Sequence, residues 1–128
     1  MFASKIFKAL PQLWRLLELV LMSTKGMNIK ELLSRYAAGQ RDFRNLNLMA
    51  ANLRNVNLSG ANLSGSNLTK ANLTGTNLSQ ANLSRTILSG AVLQNTNFTR
   101  ANLTGVDLAE LDLTRTHATG IVLTSLAT

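Results

Sequence analysis

The sequence has no cysteine, one proline and one histidine, and aromatic residues make up only 5% of its 128 positions. Without cysteine, disulfides and thiol chemistry are excluded. Serine and threonine are plentiful, but His117 is the only imidazole, and no general base or metal-ligand cluster accompanies them. We therefore predict a protein that is not an enzyme and has no cofactor, no metal and no small-molecule substrate.

Acidic residues are also scarce, at six against thirteen lysines and arginines, for a net charge of +7. Such a balance is compatible with nucleic acid, with an anionic membrane surface, or with solubility alone. Asn-Leu/Phe-Ser/Thr triplets occur eight times. In a eukaryotic secretory pathway each triplet would be an acceptor for an N-linked glycan, and glycans on so many adjacent sites would obstruct tight packing of the chain. This favours a bacterial, cytoplasmic protein.

A five-residue repeat runs without interruption from Arg41 to Arg115. Five matches neither the helical period of 3.6 nor the strand period of two. The residue before each central position is usually Asn or Asp, the one before that is small, and the other two are polar. The repeat predicts a solenoid whose core is the central residues: Phe43, Leu48, Leu53, Leu58, Leu63, Leu68, Leu73, Leu78, Leu83, Leu88, Leu93, Phe98, Leu103, Leu108 and Leu113.

The motifs "ANLSG", "ANLTG" and "ANLSQ" resemble the consensus of the pentapeptide-repeat family, including cyanobacterial members. This resemblance implies an all-β solenoid, a right-handed quadrilateral β-helix with twenty residues per coil and about four coils. Columns of residues twenty apart agree with it: Ala61, Ala81 and Ala101 share one column, and Ser66 and Thr86 share the next. The alternation by itself requires only a period of ten.

The open ends of a solenoid require caps. Residues 27–39 predict a helix over the first coil, near Phe43, Leu48 and Leu53, with a capping box formed by Asn28 and Glu31. Gly39 is its predicted stop. We expect a helical segment over 1–40 and the β-helix over 41–128, and either Met1 or Met27 serves as the start.

Residues 1–26 contain the apolar run "LWRLLELVLM" (13–22), interrupted by Arg15 and Glu18. It is too short and too charged to span a membrane. Three interpretations remain open: a packing helix, a partner-binding or self-association helix around Leu13, Trp14 and Leu17, and a membrane-surface anchor aided by nearby lysines.

The C-terminal repeats lose their consensus after Leu113, and no capping helix is evident there. Homodimerisation through this open end, or through the N-terminal helix, is one expectation, and a frayed monomeric end is the other. Ile87 and Val92 replace the corner Asn at two consecutive repeats. If exposed, they would form a small apolar contact site; partial burial through repeat drift is the alternative.

Basic residues in the repeats do not form a stripe, because Lys70, Arg85, Arg100 and Arg115 are fifteen apart and spiral around a twenty-residue coil. This disfavours nucleic-acid binding. Some pentapeptide-repeat proteins protect DNA gyrase by imitating DNA, but this basic, short sequence departs from that pattern. The sequence thus predicts a non-enzymatic scaffold for an unidentified protein partner, with peripheral membrane or nucleic-acid association through the basic N-terminal segment as the alternative.

Overall fold

The chain was analysed as a computed structural model, which describes residues 28–123. From Arg41 onward the backbone winds in coils of twenty residues, and each parallel bridge joins residues twenty apart, from Asp42 with Asn62 to Asn102 with Val122. This spacing decides between ten and twenty in favour of twenty. We number the coils 1 (41–60), 2 (61–80), 3 (81–100) and 4 (101–120).

Each coil has four faces, because every pentapeptide runs straight for about three residues and then turns. Apart from faces 2 and 3 of coil 4, each pentapeptide also contributes one bridge position. No described segment forms a longer strand, since a corner follows each bridge within two residues. We name the faces by the central residues they contribute. Face 1 carries Phe43, Leu63, Leu83 and Leu103; face 2 carries Leu48, Leu68, Leu88 and Leu108; face 3 carries Leu53, Leu73, Leu93 and Leu113; face 4 carries Leu58, Leu78 and Phe98.

Asparagine forms the corners through its side chain. Asn77 Oδ1 accepts a hydrogen bond from Ser79 N at 3.0 Å, and Asn62, Asn82 and Asn102 accept equivalent bonds. Such a side-chain turn fixes the chain direction locally, which explains why Asn and Asp dominate this position. Two residues after each central residue, the backbone frequently adopts a positive φ, for example 69° at Gly75 and 60° at Lys70.

The core is a stack of leucines and phenylalanines flanked by small residues. Central residues from Phe43 to Leu103 are buried. The small positions alternate between alanine and hydroxyl residues, and the hydroxyls donate to carbonyls of the coil beneath: Thr76 Oγ1 to Leu53 O at 2.6 Å, and Thr96 Oγ1 to Leu73 O at 2.7 Å. These bonds satisfy buried hydroxyls that would otherwise destabilise the core.

The predicted core extends too far at the C-terminal end. Leu108 is only partly buried, and the prediction of a buried Leu113 is wrong, because its exposed fraction is 37%. A central residue is buried only when coils or a cap enclose it from both sides. Coil 4 has no complete described coil above it. Leu108 and Leu113 therefore stay partly in contact with solvent, whereas Leu103 is buried beneath the segment in which Val122 bridges Asn102.

Helix α1, Ile29–Ala37, lies within the segment predicted to be helical, and Asn28 is its N-cap. Asn28 Oδ1 accepts from Lys30 N at 2.9 Å, whereas Glu31 pairs with Arg35 at 2.9 Å and is not engaged in the predicted reciprocal box. Leu32 is fully buried within the core that contains Phe43 and Leu48. Helix α1 therefore closes the coil 1 end.

Side-chain contacts fasten α1 to the first coil. Tyr36 Oη donates to Ser59 O at 2.7 Å, and the Arg41 guanidinium lies 3.7 Å from the centre of the Tyr36 ring. The division into segments 1–40 and 41–128 stays a prediction, because residues 1–27 and 124–128 lie outside the described part. Among residues 28–123, no helix has the length and apolar character needed to cross a membrane.

Candidate interaction surface

Ile87 and Val92 are exposed, with exposed fractions of 48% and 43%. Both lie in coil 3, Ile87 on face 2 and Val92 on the neighbouring face 3. Their backbones pair normally with coil 2, since Ile87 bridges Asn67 and Val92 bridges Asn72. Neither can accept the corner hydrogen bond that Asn provides. Of the two alternatives left open by the sequence, the structure favours an apolar spot over burial.

The backbone ladder between coils 3 and 4 is interrupted directly beside these two residues. Within the described chain, bridges link coil 3 to coil 4 on face 1 (Asn82 with Asn102) and face 4 (Asn97 with His117), and none does so on faces 2 and 3. The next corner is shifted by one residue: Asn95 N donates to Arg115 O, whereas the equivalent Asn55 N donates to Thr74 O. Coil 4 is therefore attached on two faces only.

Two residues that depart from their columns, Val106 and Leu111, coincide with the interruption. Face 2 of coil 4 is preceded by Val106, in the column of Ser66 and Thr86, and valine cannot donate the hydrogen bond that Thr86 Oγ1 gives to Leu63 O at 3.2 Å. Face 3 is preceded by Leu111, in the column of Ala51, Ala71 and Ala91. Leucine is larger than the alanines of this column, and a larger side chain at a packed position favours a shift of the nearby backbone.

Three of the six acidic residues cluster next to the interruption, at Asp107, Glu110 and Asp112. Asp107 Oδ1 accepts from Ala109 N at 3.0 Å, and Asp112 Oδ1 accepts from Thr114 N at 3.0 Å and Thr114 Oγ1 at 2.6 Å. The Thr114 hydroxyl is the main reason why the pKa of Asp112 lies below its ordinary value, with the Thr114 amide adding to it. Asp107 and Asp112 therefore occupy the regular corner positions, Glu110 lies in the turn between them, and all three acids are exposed.

We define the apolar–acidic surface as Ile87, Val92, Asp107, Glu110 and Asp112. Charged and apolar groups alternate along the rod axis here, because Asp107 follows Ile87 and Asp112 follows Val92 at a distance of one coil. Elsewhere on the same faces the corner residues are the asparagines of coils 1 and 2. The surface is chemically suited to contact a basic, partly apolar segment.

The other predicted residues are placed as follows. Leu13, Trp14 and Leu17 lie outside the described residues. His117 is exposed at a face 4 corner and pairs with coil 3 only through its backbone. Between residues 28 and 123, no group of His, Asp or Glu is arranged to hold a metal ion.

Sequence reasoning missed Met49, whose exposed fraction is 53%, and it missed the ladder interruption. Met49 is also on face 2, in coil 1. A signal for the interruption was present in the columns, because Val106 breaks a hydroxyl column and Leu111 breaks an alanine column.

Comparison with known proteins places the repeats in a family. The family model for pentapeptide repeats matches residues 47–85 and 86–124 with eight copies. These matches cover more than half of the chain, which therefore belongs to the pentapeptide repeat family. No curated protein sequence matches the chain.

Solved structures of pentapeptide repeat proteins are similar to this chain. A thylakoid-lumen protein from Arabidopsis thaliana is 29% identical over 63% of this chain and 57% of its own, with a TM-score of 0.46. A protein from Nostoc PCC 7120 is 35% identical over 75% of both chains, with a TM-score of 0.40. HetL, from the same cyanobacterium and involved in heterocyst differentiation regulation, is 39% identical over 70% of this chain, which spans 40% of HetL, with a TM-score of 0.42.

Proposed function

We propose that this protein is a non-enzymatic, cytoplasmic scaffold that binds another protein through its apolar–acidic surface. We also infer that the stacked coils form the right-handed quadrilateral β-helix typical of the family. The exposure of Ile87 and Val92 beside the interrupted ladder is the observation that carries the proposal. The rest of the described rod surface consists mainly of asparagine, serine and threonine turns, with dispersed basic residues such as Arg54 and Lys70 and one further exposed apolar residue, Met49.

Physical considerations support this surface over the others. Ile87 and Val92 replace asparagines that would stabilise their corners. Each corner therefore lacks the side-chain hydrogen bond, and each exposes an apolar β-branched side chain to water. Contact with a partner would bury both side chains, and the free energy gained by removing them from water would offset this cost. The neighbouring carboxylates would orient a basic partner, since complementary charge mainly provides specificity and rapid association.

Affinity capture from an extract of the source organism tests the proposal. The wild-type chain is compared with the double variant Ile87→Asn, Val92→Asn, which restores both corner asparagines and should keep the rod folded. A matched control, Asn77→Ile, places an apolar residue at the same corner position on face 4. We expect wild type and the control to capture a specific protein whose binding survives nuclease treatment. The double variant should capture at least about tenfold less of it, which corresponds to the loss of contacts worth ~1.4 kcal/mol. Equal recovery with all three chains would contradict the proposal.

A further inference from the structure

We propose that residues 1–27 of this same chain dock onto the apolar–acidic surface. Any effect of this docking on partner binding rests on the proposed function. The occupant is thus part of the chain itself, and a second copy is the outcome that the test must separate from it.

Charge is the first argument for this occupant. Residues 1–27 contain Lys5, Lys8, Arg15 and Lys25 against the single acid Glu18. The carboxylates of Asp107, Glu110 and Asp112 lie within six residues of one another on two adjacent faces, and they are the only acids between residues 43 and 123. A basic segment would find its one concentrated acidic counterpart on the described rod at this place.

The apolar residues of both parts are also complementary. The segment has the run "LWRLLELVLM", which includes Leu13, Trp14 and Leu17. Four of the large exposed apolar side chains on the described rod lie on faces 2 and 3: Met49, Ile87, Val92 and Leu113. An apolar segment gains free energy by covering such residues, roughly 25 cal/mol for each Å² removed from water.

The coil 1 end is not available to the segment, because α1 already occupies it with Leu32 fully buried. The connection to the proposed site is short. Residue 28 is the N-cap of α1 beside coil 1, and coils are spaced by about 4.8 Å, so coil 3 lies roughly 10 Å further along the axis. Twenty-seven residues reach up to about 90 Å when extended. Attachment to the same chain raises the effective concentration of the segment to about the millimolar range.

Cysteine pairs introduced into the full chain test the docking, since the natural sequence has no cysteine. The test pair is Leu17→Cys with Val92→Cys. The control pair is Leu17→Cys with Asn82→Cys, which lies at the same corner position of the same coil but on the opposite face. With a short bifunctional maleimide and purified monomer, we expect at least about tenfold more intramolecular crosslink for the test pair. Ile87→Cys replaces Val92→Cys if thermal melting shows that a variant has not folded.

Equal crosslinking of the two pairs would overturn the proposal. Crosslinks that join isotopically labelled chains to unlabelled chains in a mixture would also overturn it, because they identify a second copy as the occupant. The experiment uses purified protein without an extract. It can therefore fail while affinity capture succeeds, or succeed while capture fails.

Charge variants test whether the three carboxylates contribute to docking of the segment. Asp107→Asn, Glu110→Gln and Asp112→Asn together remove three charges, while the asparagines keep an oxygen that can accept the corner hydrogen bonds. We expect this triple variant to reduce crosslinking of the test pair at least fivefold, as about 1 kcal/mol would. Asp42→Asn, a single exposed acid in coil 1, should leave it unchanged. Undiminished crosslinking in the triple variant would refute the proposal.

Discussion

Two corner glycines of the rod are compared: one is required only by its positive φ, and the other also by the close approach of a side chain from the neighbouring coil. Gly60 and Gly75 both have a positive φ, of 73° and 69°. A Cβ at Gly60 would meet nothing within 4 Å, whereas one at Gly75 would overlap the Asn55 side-chain oxygen of the coil beneath. The comparison of these two positions separates backbone strain from steric overlap between coils.

We predict that Gly75→Ala destabilises the rod more than Gly60→Ala does. Both substitutions carry the left-handed backbone cost, about 1–2 kcal/mol. Only the first also displaces the Asn55 amide. The free energy of unfolding from denaturant titration measures both. In an Asn55→Gly background the difference should disappear; a difference that persists there would refute the assignment to Asn55.

Asp112 owes its lowered pKa chiefly to the Thr114 hydroxyl, which donates to its carboxylate. Thr114→Val removes this donor, so the pKa of Asp112 should rise towards its ordinary value, and Thr114→Ser should preserve it. Because a lowered folded-state pKa stabilises the protein above the ordinary pKa, this contribution is lost as the pH falls through the folded-state pKa, below 3.8. Carbon-detected NMR titration of Asp112 makes the measurement, and an unchanged pKa in Thr114→Val would contradict the account.

Coil 4 is the element that departs most from the repeat. Buried hydroxyls bond coils 2 and 3 to the coil beneath each of them, as Thr86 Oγ1 in coil 3 donates to Leu63 O in coil 2. Val106 cannot form the equivalent tie to Leu83 O. Attachment of this coil therefore depends on faces 1 and 4.

Val106→Thr should restore the missing tie and stabilise the protein by about 0.5–1.5 kcal/mol, the usual net value of one hydrogen bond. Val56→Thr is the matched control, because Val56 is in coil 1 and has no coil beneath it to provide an acceptor carbonyl. Thermal unfolding of both variants gives the comparison. Equal or opposite shifts would show that the hydroxyl column does not hold the coils together.

Helix α1 could be predicted closely from sequence, because Asn28, Gly39 and the helical spacing of Ile29, Leu32 and Tyr36 are local signals. The side-chain partner of Glu31 could not, since a capping box and an ion pair with Arg35 satisfy the same residue spacing. The burial of Leu108 and Leu113 was overestimated for a related reason. The repeat identifies which side chains point inward, but not whether another coil covers them.

Between residues 28 and 123 the protein forms a rod whose two ends differ. At one end α1 covers coil 1, and Tyr36 and Arg41 fasten it there. At the other end coil 4 is paired with coil 3 on two faces only. The twenty-residue coil was predicted through the family resemblance, and the alternating columns by themselves permitted ten. Only part of the apolar–acidic surface could be predicted. Ile87 and Val92 stand out in the sequence because they replace the corner asparagine, whereas the ladder interruption depends on packing between coils.

The core of the whole rod should be sensitive to charge only where coils enclose it. Leu83→Lys buries an unpaired charge in coil 3 and should unfold the rod, with a loss above about 4 kcal/mol. Leu113→Lys, at an equivalent but exposed position of coil 4, should cost about 1 kcal/mol or less. Thermal melts of both variants decide the point, and a melt of Leu83→Lys that matches wild type would refute the register.

The most direct test of the account is residue-resolved amide hydrogen exchange on the full chain. Leu83 N donates to Asn102 O at 2.8 Å across coils 3 and 4, whereas Leu88 N and Leu93 N have no such bond to coil 4. Leu68 N and Leu73 N, which donate to Ile87 O and Val92 O, are the matched amides between coils 2 and 3. The account predicts slow exchange at Leu68, Leu73 and Leu83 and clearly faster exchange at Leu88 and Leu93. Equal protection at all five amides would show that the ladder is continuous and that the apolar–acidic surface has no structural basis.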